Sequence, residues 1–176
     1  MAMNIFVTNE DPQIAAQELD DLRTVKMIVE TYQMLSAAVI RHGATPDMMP
    51  LTKAGEPMKA GHPHHPCTKW VGDSSSNYAW LCEYGLALCS EYSRRFGKVH
   101  RGESVIHQFA EMIYLIPADD MTPFVQAMPD EFKDADVTVA YQDFLFSKPR
   151  HRWVRASPPD WWLRLSLSNC VPKGGV

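Results

Sequence analysis

The chain has 176 residues, 45% of them hydrophobic and 22% charged, with 13 prolines, 9 glycines and a formal net charge of −4. That length and composition suit one globular domain and exclude a disordered, collagen-like or coiled-coil protein. No stretch approaches the roughly 18 apolar residues of a membrane span, and the first residues lack the basic region and apolar run of a secretory signal, so a cytoplasmic protein is expected.

After a short apolar run at Ile5 to Val7, Asp11-Pro12 reads as a helix start, with Asp11 as N-cap and Pro12 at the first helical position. A long helix should follow, ending near Gly43. Ile14, Val25, Ile28, Tyr32, Leu35 and Val39 share one face of it, and Arg23, Lys26, Glu30 and Gln33 line a neighbouring face. Residues 44–66 hold five prolines and two glycines, which predicts a long loop. Loops of that length are uncommon in compact domains unless they bind something. The serines at 74–76 offer caps for a second helix, which Gly97 should stop. Ser104 to Leu115 reads as a third helix ended by Pro117, and Asp134 to Phe146 as a fourth. The expectation is a mainly α fold: a single compact domain of about four helices with a long Pro-rich loop between the first two. It should span residues 1–162, leaving 163–176 as a C-terminal tail. Cys67, Cys82, Cys89 and Cys170 include no CxxC pair, so no disulfide framework is expected.

The charge is unevenly spread. Arg94, Arg95, Lys98 and Arg101 in one segment, with Lys148, Arg150, Arg152 and Arg155 in another, account for 8 of the 17 lysines and arginines. Acidic residues concentrate at 10–21 and 119–136, so the molecule should be polarised. Each basic cluster can be read as a solvated helix end. Read together with the aromatic residues at 153–162, they form a positive track with stacking faces, as a nucleic-acid partner requires.

Two further groups of residues carry chemistry. Gly61-His-Pro-His-His-Pro-Cys67 concentrates imidazoles and a thiol, the ligand types of zinc, but its spacing is poor and no second ligand pair follows. No metal site is therefore assigned. His62 and His65 can instead be phosphate or base contacts on a Pro-fixed loop, or the segment can be a rigid loop packed by Pro66 and Trp70. On the first helix, Lys26 and Glu30 stand at i, i+4, which by default gives an exposed helix a few tenths of a kcal/mol. If the flanking apolar residues partly enclose that pair, its carboxylate can act as a general base. Nucleotide signatures such as a Walker loop, GxGxxG or GxSxG are absent.

Asn4-Ile-Phe-Val, Val25-Lys-Met with Glu30, His62-Pro-x-His65-Pro-Cys67-x-x-Trp70, Asn77-Tyr-x-Trp80, Glu91-Tyr with Arg95-Phe-Gly-Lys98-x-His100, and Thr122-Pro-Phe resemble a phage-associated family. This is the family of amino acid:DNA transferases, also called α-glutamyl/putrescinyl-thymine pyrophosphorylase-like proteins. The resemblance runs to about Trp162. It implies that pyrophosphorylated 5-hydroxymethyluracil in DNA loses pyrophosphate to the amine of a free amino acid such as glycine. By that resemblance Arg95, Lys98 and His100 would hold the departing pyrophosphate and Glu30 or Asp20 would take the proton of the attacking ammonium. His65 would assist the leaving group, and Trp70, Tyr78 or Trp80 would stack on an extruded base. Lys26 joins the catalytic set, and Arg23, His62 and Asn77 the substrate-binding set. No cofactor is implied beyond a divalent cation that could accompany the pyrophosphate.

A weaker similarity runs to the phage pyrimidine-dimer DNA glycosylases, through Ala15-Ala16-Gln17-Glu18-Leu19 and an acidic residue on the first helix. Their nucleophile is an N-terminal amine. The start Met1-Ala-Met-Asn4 has no matching residue, and Lys26 would replace that amine only with a depressed pKa. A non-catalytic DNA-binding protein is the third reading. The oligomeric state is left open.

Overall fold

A computed structural model describes residues 3–170, and among them the chain forms seven α-helices and no strand. These are α1 (Pro12–Gln17), α2 (Asp21–Arg41), α3 (Pro66–Asp73), α4 (Ser75–Phe96), α5 (Gly102–Glu111), α6 (Val137–Phe146) and α7 (Asp160–Cys170). The mainly α class and the single domain agree with expectation; the number of helices is larger.

The expected long first helix is two helices. Asp11 does cap α1, its carboxylate accepting from the backbone N–H of Gln13 and Ile14. The helix stops after Gln17 because the carbonyls of Gln17 and Leu19 turn to the guanidinium of Arg95, at 3.1 and 2.7 Å. Carbonyls committed to a side chain are lost to the i→i+4 ladder, and a new helix starts at Asp21. The Pro-rich loop ends within a residue of its expected limit, but a helix not expected, α3, follows it directly. Pro66 is the first residue of α3, with His65 as N-cap, so a proline that reads as punctuation opens a helix.

Helix α4 begins and ends where its caps say it should. The Ser74 hydroxyl accepts from Asn77 N–H at 3.1 Å, and Gly97 closes the helix in the left-handed region at φ +67°. The third expected helix runs as α5 and a 3₁₀ turn over Met112–Leu115, and the fourth begins three residues late, at Val137, because Asp136 is its cap. Helix α7 carries regular structure across the expected start of the tail, through residues 163–170; residues 171–176 lie outside the described part.

The core forms around α2 and α4, with α3 and α5 packed against both and α1 against α4. Gly85 permits the closest approach: a Cβ there would stand 2.6 Å from the Thr31 methyl on α2 and 2.9 Å from Ile106 on α5. The N-terminal segment, residues 3–8, is buried without being helical or paired in a sheet. Buried irregular backbone needs other hydrogen-bond partners. Its partners lead to the site.

Candidate functional site

Glu30 lies at the middle of α2, 7% exposed, and both its oxygens are used. Oε2 accepts the backbone N–H of Asn4 at 3.0 Å, and Oε1 is 3.1 Å from the Lys26 ammonium. The Lys26 side chain is 35% exposed against 9% for that of Glu30, so the pair stands at the boundary between protein and solvent. Asn4 is itself fastened, its side-chain amide donating to Ala127 O at 2.9 Å and its carbonyl accepting from Ile5 N–H at 2.8 Å. Two residues on, Phe6 holds φ +57°, a conformation rare for an aromatic residue and maintained by burial between Tyr141 and Phe144.

The histidine loop reaches the same face of α2. Gly61 packs directly on Gln33, where a Cβ would stand 2.6 Å from the Gln33 side chain. His62 then takes φ +48°, and its carbonyl accepts from His65 N–H at 3.0 Å, closing a tight turn. His65 caps α3 through Nδ1, which accepts from Cys67 N–H at 3.2 Å. That bond places the imidazole proton on Nε2. Burial, reinforced by His62, holds the His65 pKa below the ordinary value, while nearby Glu30 pulls it partly back up. His65 is thus a neutral ring with its N–H on Nε2, suited to donating a hydrogen bond rather than a proton. Cys67 is no nucleophile, because burial pushes its thiol up to about 12.

Of the residues singled out from the sequence, Lys26 meets Glu30, Arg23 stands one turn before Lys26, and the turn of His62 and His65 is brought against α2 at Gln33 through Gly61, with His65 near enough to Glu30 to feel its charge. The anion-gripping set does not join them. The Arg95 side chain is fully buried and its donors are spent on Glu91 at 2.9 Å, Thr24 at 3.0 Å, Asp21 at 3.4 Å and the carbonyls of Leu19 and Gln17. Arg95 is an internal tie, corrected from a substrate ligand. Thr24 and Ile28 mark one face of α2; Glu30, two residues beyond Ile28, is about 200° round the axis. His100 belongs to the Ile28 side: its Nδ1 accepts from Gly102 N–H at 2.9 Å, and Gly102 abuts Ile28. Lys98 is exposed near the Tyr92 ring, at 6.0 Å, beside His100.

Four other candidates are also occupied internally. Tyr78 is fully buried and donates to Phe109 O at 2.7 Å. Trp70, 2% exposed, packs against Trp80 and Phe124. Asn77 ties Trp70 O to Thr122. Asp20 accepts from Arg23 and from Arg152 N–H, each at 3.0 Å. None of these presents a free face to a substrate. Nor do the late tryptophans form a stacking track: Trp162 sits among Phe146, His151, Trp153 and Trp161.

Asn4 was missed as a site residue. Its signal was a single amide in an otherwise apolar run, Met3 to Val7, since a buried polar side chain needs a partner. Among the described residues no group of three or more His, Cys, Asp or Glu side chains is placed to hold a metal ion, and no helix is long and apolar enough to cross a membrane.

The arrangement is that of a helical domain with a carboxylate–ammonium pair at the edge of its core, steadied by a backbone amide, with a histidine near enough to feel the carboxylate's charge. The family model described as pyrimidine dimer DNA glycosylase matches residues 3–103, and the chain belongs to that family, a family of DNA-acting enzymes. The matched span carries Asn4, Lys26, Glu30, His65 and the Arg95 network, and ends before α6 and α7. No curated protein and no solved structure matches the chain.

Proposed function

We propose that this chain modifies a pyrimidine in DNA at the Glu30–Lys26 pair, replacing the pyrophosphate of a pyrophosphorylated 5-hydroxymethyluracil with the amine of a free amino acid such as glycine. The observation that carries the reading is the Glu30 carboxylate, nearly enclosed yet adjacent to the solvent-reaching Lys26. The Asn4 N–H fixes one oxygen, which leaves the Lys26-facing oxygen to take a proton from the entering ammonium. The amine nitrogen then bonds to the 5-methylene carbon, the carbon–oxygen bond to pyrophosphate breaks, and pyrophosphate departs with the bonding pair. Lys26 and the Nε2–H of His65 offer the departing oxygens a cation and a hydrogen bond. In this scheme they replace Arg95, Lys98 and His100.

Family membership favours a second reading, excision of a damaged pyrimidine. Here Lys26 would transfer a proton to Glu30 and attack the sugar C1′, expelling the base. The two readings share residues but differ in product. Incubation with the pyrophosphorylated DNA and labelled glycine should give label in DNA and release pyrophosphate. Ultraviolet-irradiated DNA with borohydride should give a covalent Lys26 adduct only under the second reading. Neither product from wild-type protein, on either DNA, would overturn both.

A further inference from the structure

Residues 148–155 cross the first turn of α2 as a strap. Arg152 N–H donates to Asp20 at 3.0 Å, and Val154 and Arg155 N–H both donate to Asp21 at 3.0 Å. In return Asp21 N–H donates to Arg152 O at 2.9 Å, while Arg23 donates to Pro149 O at 3.0 Å. The atoms involved decide the consequence: two carboxylates are satisfied by the backbone of the strap, not by its cations. Lys148, Arg150 and Arg152 have no carboxylate within ion-pair distance among the described residues.

Arg155 links this strap to the end of α4, donating to Arg95 O at 3.1 Å and lying 5.0 Å over the Phe96 ring. The two basic segments of the sequence therefore meet. Under them opens a cavity of about 350 Å³ with a wall of Leu22, Val25 and Phe96, bordered by Lys26, Arg152 and Arg155. Lys26 borders both this cavity and Glu30. Leu22 is left 45% exposed on the same surface. Burial, and after it the neighbouring charges of Lys26 and Arg23, holds the Lys148 ammonium below its usual pKa.

We propose that the strap and its cavity form the track for the DNA strand carrying the target pyrimidine, with Arg150, Arg152, Arg155 and Lys26 receiving successive backbone phosphates and the apolar wall covering a flanking sugar or base. This rests on the reading of Glu30 as the reacting centre. Phosphates suit the groove because Arg150 and Arg152 have no carboxylate partner among the described residues, while Arg155 and Lys26 are held at its border by single polar contacts, to Arg95 O and to Glu30.

The test is the full-length protein with Arg150 and Arg152 replaced together, measured for binding to duplex DNA at several salt concentrations. Arg150→Asn is chosen because Arg150 has φ +62°, which asparagine adopts readily; Arg152→Ala removes an exposed side chain. Affinity should fall at least tenfold at low salt, and the slope of log K against log salt should become shallower by about 1.5 to 2, the loss of two phosphate contacts. Wild-type affinity and slope in this variant would overturn the track. Lysine at both positions should restore binding, and a folded lysine variant that stays weak would also overturn it. Glu30→Gln separates the two proposals: lost turnover with retained DNA binding upholds both, whereas retained turnover removes Glu30 and leaves the track standing.

Discussion

Two pairs in this molecule have the same form in sequence, a carboxylate and a cation four residues apart on a helix: Lys26 with Glu30 on α2, and Glu91 with Arg95 on α4. The second is closed. Arg95 has no exposed side-chain surface, and its donors are spent on Glu91 of its own helix and on a carboxylate, a hydroxyl and two carbonyls drawn from α1, α2 and their junction. The first is open on one side, with Lys26 reaching solvent. Closure, rather than the identity of the residues, separates a structural tie from a reactive pair, because only an incompletely enclosed pair can exchange a partner for substrate.

The largest effect should come from breaking the closed pair. Arg95→Ala leaves Asp21 and Glu91 without their buried cation and strips the Gln17 and Leu19 carbonyls of their donor. Glu91 keeps Arg94, and Asp21 keeps the strap's amides, so the expected loss is about 3 kcal/mol, the lower end for removing one partner of a buried ion pair. For a chain of this length that corresponds to a fall in melting temperature of roughly 10 °C, read by calorimetry. A melt within a degree or two of wild type would show that the network is not closed in solution.

The open pair should respond in the opposite way. Glu30→Gln keeps an oxygen to accept the Asn4 N–H but cannot take a proton, so turnover should drop by about a hundredfold or more while the melting temperature barely moves. A variant that unfolds would instead make Glu30 a second structural tie.

This contrast also explains what could be read from sequence. Helix α4 was legible at both ends because Ser74 and Gly97 act on backbone within a few residues. Lys26 and Glu30 were legible as a pair because i, i+4 is a local relation. The break between α1 and α2 was not, since the side chain that captures the Gln17 and Leu19 carbonyls is 76 to 78 residues away. Arg95, Lys98 and His100 read as one cationic group from their proximity in sequence. Gly97 turns the chain between them, sending Arg95 inward and leaving Lys98 outside. The clustering of charge along the sequence pointed to a polarised surface, but not to the strap, whose position depends on backbone amides rather than on its basic side chains.

A smaller effect tests how tightly the two helices bearing the pairs are packed. Gly85→Ala gains helix propensity, but its methyl would meet Thr31 at 2.6 Å and Ile106 at 2.9 Å. Overpacking of this kind typically costs about 1–3 kcal/mol. Because Thr31 neighbours Glu30 on α2, turnover should also fall in proportion to any shift of that helix. Chemical denaturation together with kinetics would sharpen the comparison: a stability loss with no kinetic change would show that the Glu30 side of α2 does not depend on the α4 contact.

The smallest effect is a pH dependence shared by both regions. His65, His100 and His151 each use Nδ1 as an acceptor, from Cys67 N–H, Gly102 N–H and the Arg23 guanidinium, and each is held below its ordinary pKa, chiefly by burial. Protonation at Nδ1 would cost the ring its hydrogen bond. Between the depressed native values and about 6.5 the unfolded chain therefore binds more protons than the native one. Stability should be fully present above about pH 6.5 and decline as the pH falls below it through the depressed native values. Replacing His65 with asparagine, which still caps a helix, should remove its share of the slope without removing α3. Urea unfolding at pH 7.5, 6.5 and 5.5 would measure it, and stability that rises on acidification through this window would mean that these rings are imidazolium in the native protein.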